Sequence, residues 1–424
     1  MSTSDVDVII AGGGPSGCAT ALFLWAETRM LARPPRVLLL DKAEFPREKI
    51  CAGALGGRAD RALASIGVEV RCPGADVRGL GVVTGAGELA ARHPRPIGRV
   101  VRRREFDAAF LDEVRARGIE VRTGIALEGY TRTSRGVRVA TSAGELTARV
   151  LVGADGVGSR VRRAMGLPRG ALYAQAVEID TPWCEADDAL GRTAEGVSSR
   201  RWRAASQARD VLWFDLRDRR YPGYGWSFPT IVGGESLVCR GVYRMTHGVS
   251  ALDDSGPDVS RLLADELTRL GVGNGPNGKT AVDLTTFKRF AERGLAAHEP
   301  TAQESVMLVG EAAGIDPVLG EGLAQAILSG KAAGPYLAQA LVRGDVTFRD
   351  WPREFARSRV GLDLALRRRA LPFVYGSARP RMESLVTRSE SLARAGLHYF
   401  AGEHVPRGAL VRATLDGVRA LTGI

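Results

Sequence analysis

Three glycines, Gly12, Gly14 and Gly17, directly follow the apolar run Val6 to Ala11 and constrain this chain more than any other feature. The run is short and β-branched and reads as a buried parallel strand, and Ser16 to Leu31 reads as the helix that the glycines open. In that context a G-x-G-x-x-G spacing has a physical purpose. The first glycine makes a tight turn, the second lets backbone approach a pyrophosphate, and the third lets helix and strand pack closely. The helix N-terminus adds free N–H groups and positive potential. Val37 to Asp41 is a second buried strand, so the chain opens with a βαβ unit suited to a dinucleotide. Asp41, at the end of that strand, is placed to accept hydrogen bonds from ribose hydroxyls. It lies 24 residues beyond Gly17, against a usual gap of about 20, and Arg29 to Pro35 absorbs the difference.

The rest of the chain alternates in texture. A helix is expected over Arg104 to Arg117 and a strand over Ile119 to Arg122. Three strands, Ile125 to Thr131, Gly136 to Thr141 and Glu145 to Val152, form an antiparallel meander. Leu172 to Arg244 reads as short strands with turns and Pro257 to Leu270 as a helix. Ser305 to Val309 returns to the parallel sheet, and a helix runs from Gly322 to Val342. Beyond Gly344 the chain is helical and rich in arginine, including Arg367, Arg368 and Arg369. Three readings of this tail stay open: a cap over a substrate site, a basic membrane-facing patch, or a dimer surface.

At 424 residues the chain is long enough for two intertwined domains and a sizeable core. No stretch is long and apolar enough to span a bilayer, and the N-terminus runs into a glycine loop rather than an export signal. The five cysteines are odd in number and, like the five scattered histidines, show no metal-ligand spacing, so no metal is expected. A reducing, cytoplasmic compartment follows, with peripheral membrane contact as one reading of the tail. The net charge of +11 is read first as arginine-rich composition and second as attraction for anionic ligands. Nucleic acid is disfavoured, because aromatic residues make up 6% and do not interleave with the basic runs. Oligomeric state is not legible.

Two later motifs each begin at the end of an apolar strand. The second is Val152-Gly153-Ala154-Asp155-Gly156-Val157-Gly158-Ser159-Arg160. The third is Leu308-Val309-Gly310-Glu311-Ala312-Ala313-Gly314, continuing through Pro317 to Gly320-Glu321-Gly322. In this order the three motifs resemble the FAD-binding set of the flavoprotein monooxygenase superfamily, the group that includes p-hydroxybenzoate hydroxylase. The resemblance spans most of Val6 to Val342. It implies an α/β fold: a Rossmann-type FAD-binding domain (1–80, 97–170 and 285–343), an antiparallel-sheet substrate domain (81–96 and 171–284) and a C-terminal helical segment (344–424). It places Gly12, Gly14, Pro15, Ser16, Gly17, Asp41, Lys42, Asp155, Gly156, Gly310 and Leu323 against FAD. Arg103 resembles the arginine that contacts the pyrophosphate or ribityl region, though in a run of arginines it also reads as one more solvated charge. Glu311 stands where the family usually has aspartate, so its contact requires a backbone shift or a different hydroxyl. Gly320 and Gly322 let backbone N–H groups approach the flavin ring, and a helix N-terminus there stabilises an anionic reduced ring by about 0.3–2 kcal/mol.

Two further stretches, Lys49-Ile50-Cys51-Ala52-Gly53 and Tyr224-Gly225-Trp226-Ser227-Phe228-Pro229, look like signatures of the geranylgeranyl reductase family. By that resemblance Lys49, Cys51 and Ala52 lie beside the flavin. Tyr224, Trp226, Phe228 and Pro229 line a tunnel for an apolar small-molecule or lipid substrate, and Cys51, Tyr224 and Trp226 act in catalysis. In a strand Tyr224, Trp226 and Phe228 share one face, which spacing alone reads first as ordinary core and the family resemblance as tunnel wall. Cys51 reads either as a buried inert thiol or as a proton donor or tuner of the ring. The implied activity is reduction of C=C bonds in an isoprenoid or polyene-type substrate, with NADPH or a small redox protein as transient reductant. The alternative is a monooxygenase or halogenase acting through a flavin hydroperoxide on a secondary metabolite. Halogenases carry W-x-W-x-I-P where this chain has Tyr224, Trp226 and Phe228. A third reading is a flavin-binding docking protein with little catalysis.

Overall fold

The protein is described by a computed structural model covering residues 6–168, 172–189, 208–247, 257–272, 287–296, 299–316 and 318–422. Parts of the expected middle region (190–207, 248–256 and 273–286) and Pro317 of the third motif lie outside the described residues.

The opening βαβ unit forms as the glycine spacing predicts. Val6–Ala11 is the centre of an eight-stranded sheet, flanked in parallel by Val37–Leu40 and Gly144–Gly153. Glu120–Arg122 and Val306–Leu308 extend the parallel set on the two sides. The strand Val6–Ala11 is buried at nearly every residue, which is why it reads as an unbroken apolar run rather than an alternating one. Gly144–Gly153 has two functions. Its first half closes the antiparallel meander with Gly136–Thr141, and its second half enters the parallel sheet. The helices Pro15–Thr28 and Gly322–Arg343 lie against each other, and Gly330 permits their closeness: a Cβ there would sit 2.5 Å from the Ala19 Cβ. Both helix N-termini are thereby held on one side of the sheet.

The second large sheet has seven strands, in the order Lys288–Arg293, Leu172–Thr181, Glu235–His247, Gly223–Val232, Val211–Asp215, Gly79–Thr84 and Gly87–Arg92. One boundary differs from the sequence reading. Residues 288–293, assigned there to the FAD-binding part, pair antiparallel with Leu172–Thr181 as the edge of this sheet. Their short mixed sequence, Lys-Arg-Phe-Ala-Glu-Arg, carries no local mark of which sheet it joins.

The tail after Gly344 covers the outer end of this second sheet. Met382, Leu397, Phe400 and Ala401 are buried in the same apolar cluster as Tyr224, Trp226 and Phe228. Arg367 is not part of a solvated basic face but is 7% exposed. Its guanidinium bonds Asp316 (2.5 Å), Glu321 (2.8 Å) and Asp363 (3.2 Å). Arg58 joins the same network through Glu321 at 2.5 Å. His93 and His398, scattered in sequence, meet at Glu403, which Arg61 and Arg95 also flank. Among the described residues no helix is long and apolar enough to cross a membrane.

Candidate active site

A cavity of about 820 Å3 is bounded by elements of both large sheets, at the upper end of the size range of small-molecule sites. One end is made of backbone. Gly12 has φ +117°, and a Cβ on it would lie 2.3 Å from the Ala154 carbonyl oxygen; one on Gly17 would lie 1.8 Å from the Gly12 oxygen. Side chains are excluded there, and the strand ends close onto the loop. Gly14 is the N-cap of the helix Pro15–Thr28 and no side chain caps it. Gly12, Gly14, Pro15 and Ser16 therefore present a bare helix N-terminus to the cavity. Asp41 also lines it. Its Oδ2 accepts the Gly13 N–H and its Oδ1 the Ala43 N–H, both at 2.8 Å, so it braces the loop as well as facing the cavity. Lys42 stands beside it.

The second motif serves in a comparable way. Asp155 and Gly156 line the cavity. The Asp155 carboxylate accepts the Ser159 hydroxyl (2.5 Å) and the backbone N–H groups of Arg160 (2.7 Å) and Val161 (3.2 Å), and so fixes the turn into the next helix. Arg103 lines the cavity, but its Nε and Nη2 donate to Asp107 at 2.7 and 2.8 Å. Burial works against its charge, and the Asp107 carboxylate overrides that, holding it more firmly protonated than an ordinary arginine. Arg47, which the sequence reading passed over, lines the same wall and reaches Asp107 at 3.1 Å. Three expected site residues lie off the wall. Gly17 packs helix against strand. Gly310 packs against Ser16, where a Cβ would come within 2.4 Å of Oγ, and gives its N–H to Ser329 Oγ at 2.9 Å. Pro229 is one residue out of phase with Phe228 and so faces the other side of its strand. The short partner strand reaches only Ser227, so the missing N–H of Pro229 leaves no gap on that side.

The other end of the cavity is made of side chains. Register across the second sheet sets Tyr224, Trp226 and Phe228 opposite Tyr243, Gly241 and Cys239, with Phe214 opposite Trp226 on the other flank. Alternation puts these on one face. Tyr224 stacks on Tyr243 with centroids 5.1 Å apart, and Phe214 meets Tyr224 edge-on at 5.4 Å. Gly241 makes room for the indole, since a Cβ there would lie 2.1 Å from Trp226 Cζ2. Phe290 and, from the tail, Phe400 complete the apolar wall. The Tyr224 hydroxyl donates to the Leu319 carbonyl at 2.6 Å. That bond ties the aromatic wall to the loop of Gly320, Glu321 and Gly322, which lines the cavity together with Leu323. The helix Gly322–Arg343 begins there without a side-chain cap.

Between the two ends lie Lys49, Cys51, Ala52 and Glu311. The Cys51 N–H donates to Glu178 Oε1 at 3.1 Å, and Cys51 Sγ accepts the Gly53 N–H at 3.4 Å. Burial pushes the Cys51 thiol up, so it is neutral rather than a thiolate. Burial also pushes the Glu178 carboxyl up to about 7, against the opposing pull of the Cys51 N–H and Arg102. Glu292, absent from the sequence reading, stands on the cavity wall with its Oε1 buried and unpartnered.

Two uncapped helix N-termini open into one cavity, and the glycine cradle admits no side chain. Both features fit a pyrophosphate at one end and an electron-rich ring at the other. The sequence comparisons agree. The family described as FAD binding domain matches residues 5–185. Menaquinone reductase of Mycobacterium tuberculosis is 29% identical over 419 residues, covering 92% of this chain and 90% of that protein. Digeranylgeranylglycerophospholipid reductase of Methanosarcina acetivorans is 26% identical, covering 80% and 77%. The chain is an FAD-binding oxidoreductase, similar along most of its length to proteins named as reductases. Solved structures share its fold. A geranylgeranyl bacteriochlorophyll reductase-like protein of Thermoplasma acidophilum aligns with TM-score 0.61 at 18% identity, covering 99% of this chain and 98% of its own. Halogenase PltM in complex with phloroglucinol and FAD aligns at 0.66 and 16% identity, covering 99% and 84%.

Proposed function

We propose that this chain reduces C=C bonds of an isoprenoid or polyene-type apolar substrate. The observation that carries the reading is the continuity of the cavity, which joins the glycine cradle to a wall of Leu212, Phe214, Tyr224, Trp226, Phe228 and Phe400. The relatives named above as menaquinone and digeranylgeranylglycerophospholipid reductases support it. FAD, when bound and reduced, supplies hydride. Gly12, Gly14 and the first turn after them hold the pyrophosphate, with Asp41 toward the ribose. Asp155, Glu311 and the Gly320–Leu323 backbone stand along the rest of the cofactor, and the bare helix end at Gly322 favours negative charge on the ring. The aromatic wall binds the substrate chain, orients one double bond and excludes water. Cys51, a neutral thiol, lines the same cavity as Tyr224 and Trp226, and the three would act on the substrate beside the ring. NADPH or a small redox protein acts as transient reductant, in keeping with the basic mouth formed by Lys42, Arg160 and Arg163.

The deciding experiment is mass spectrometry of a geranylgeranyl lipid and of a menaquinone after strictly anaerobic incubation with dithionite-reduced holoenzyme. A gain of two hydrogens per double bond is expected. Conversion that requires oxygen, or oxygen and halide, assigns the chain to the monooxygenase or halogenase class instead.

A further inference from the structure

Glu292 is 4% exposed and lies on the edge strand of the second sheet, opposite Ala174. Its Oε1 has no hydrogen-bond partner among the described residues. The residue lines the cavity, and this oxygen packs beside Gly322, where a Cβ would lie 3.1 Å from it. Gly322 opens the helix whose bare N-terminus faces the flavin end, and Gly320, two residues earlier, lies against Tyr224 and Tyr243. Glu292 therefore stands where the backbone end of the cavity meets the aromatic end.

Three other carboxyls of this wall are held by neighbours. Asp41 and Asp155 accept backbone N–H groups, and Glu321 pairs with Arg58 and Arg367. The charges around Glu292 come from several elements. Glu311 and Asp316 repel a negative charge there, while Lys49 and Arg367 favour one. Burial outweighs all of these, and together with the two acids it lifts the Glu292 carboxyl well above the usual range. A buried carboxyl without a partner is costly as a charge and serviceable as an acid.

We propose that Glu292 is the proton donor of this cavity. With reduced flavin as the hydride source for one alkene carbon, Glu292 would give its carboxyl proton to the other carbon, so that the π bond and the O–H bond break together. Two C–H bonds form, and Glu292 is left as a carboxylate until water at the cavity mouth reprotonates it. This role rests on the reading of the chain as a C=C reductase.

The test uses purified holoenzyme, Glu292→Gln and Glu292→Asp. Infrared spectroscopy at neutral pH, with and without FAD, is expected to show a protonated-carboxyl band in the parent that is missing in Glu292→Gln. A parent without that band overturns the proposal. In anaerobic single turnovers with a geranylgeranyl lipid, Glu292→Gln is expected to retain FAD and to be reduced by dithionite like the parent. Its product formation is expected to fall at least 100-fold, with partial recovery in Glu292→Asp and, in the parent, a solvent deuterium isotope effect. If parent and Glu292→Gln convert substrate equally fast, the proton role falls while the reductase reading stands. If the parent converts neither geranylgeranyl lipid nor menaquinone, the reductase reading falls and this role with it.

Discussion

The two ends of the cavity are built by different means. At the glycine end the wall is main chain: carbonyls and N–H groups brought close because no Cβ is present, braced by Asp41 and Asp155. At the aromatic end the wall is side chain, held by register between strands and by ring contacts at 5–6 Å. The first kind of wall tolerates almost no addition of atoms and the second almost no removal. The difference also separates what each suits, the backbone end a charged group and the aromatic end an apolar shape.

The comparison is most easily broken at Gly17. A methyl group there meets the Gly12 carbonyl at 1.8 Å, so Gly17→Ala is expected to cost more than the roughly 1–3 kcal/mol typical of overpacking. The protein is expected to emerge without flavin, which the flavin-to-protein absorbance ratio measures. Trp226→Ala sharpens the contrast. Loss of a buried indole costs about 3–5 kcal/mol, read by denaturant melts. FAD is retained, and turnover of apolar substrate falls at least tenfold through a raised KM.

Glu178 gives a pH-dependent case. Its folded pKa, near 7, lies above the ordinary 4.5, so the native state holds a proton that the unfolded chain releases first. Its stabilising contribution is complete below about pH 4.5 and is lost as pH rises to about 7, by ~3 kcal/mol. Melts of Glu178→Gln from pH 4.5 to 7.5 are expected to decline by that much less than those of the parent. Equal slopes would show that Glu178 does not carry the effect. The smallest change is Tyr224→Phe, which removes the bond to the Leu319 carbonyl. We expect a loss of about 1 kcal/mol and a shift in the absorbance of bound flavin, because the Gly320 loop loses its tether.

The same contrast explains what could be read from the sequence. A wall made of main chain leaves its record in glycine spacing, which is local. Gly12, Gly14, Asp41, Asp155 and the helix at Gly322 could therefore be grouped from their order, and they line one cavity. The shared face of Tyr224, Trp226 and Phe228 followed from alternation, but their neighbours did not. Tyr243, Phe290 and Phe400 join them through strand pairing and helix packing across long stretches of chain. Glu178 reaches Cys51 from 127 residues away, and nothing near either residue marks the meeting. Glu292 sits in a strand of mixed charge whose sheet membership is decided by its partner. Its unpartnered buried oxygen beside Gly322 exists only after folding. Arg367 was hidden for the same reason, as its three acidic partners identify it and the run Arg367-Arg368-Arg369 conceals it.

That arginine also sets an order of events during synthesis. Asp316 and Glu321, on the loop of Gly320, receive the Arg367 charge from 51 and 46 positions later. Tyr399, later still, bonds Asp363 within the same network at 2.6 Å. While the tail is still inside the ribosome, Asp316 lacks its countercharge and Glu321 has only that of Arg58, and the first βαβ unit has been complete for most of the chain's length. The glycine cradle is thus the earliest part of the cofactor site to be assembled and the Gly320 loop the latest. A nascent chain halted before Arg367 would present a nucleotide-binding fold that cannot yet close on its ring.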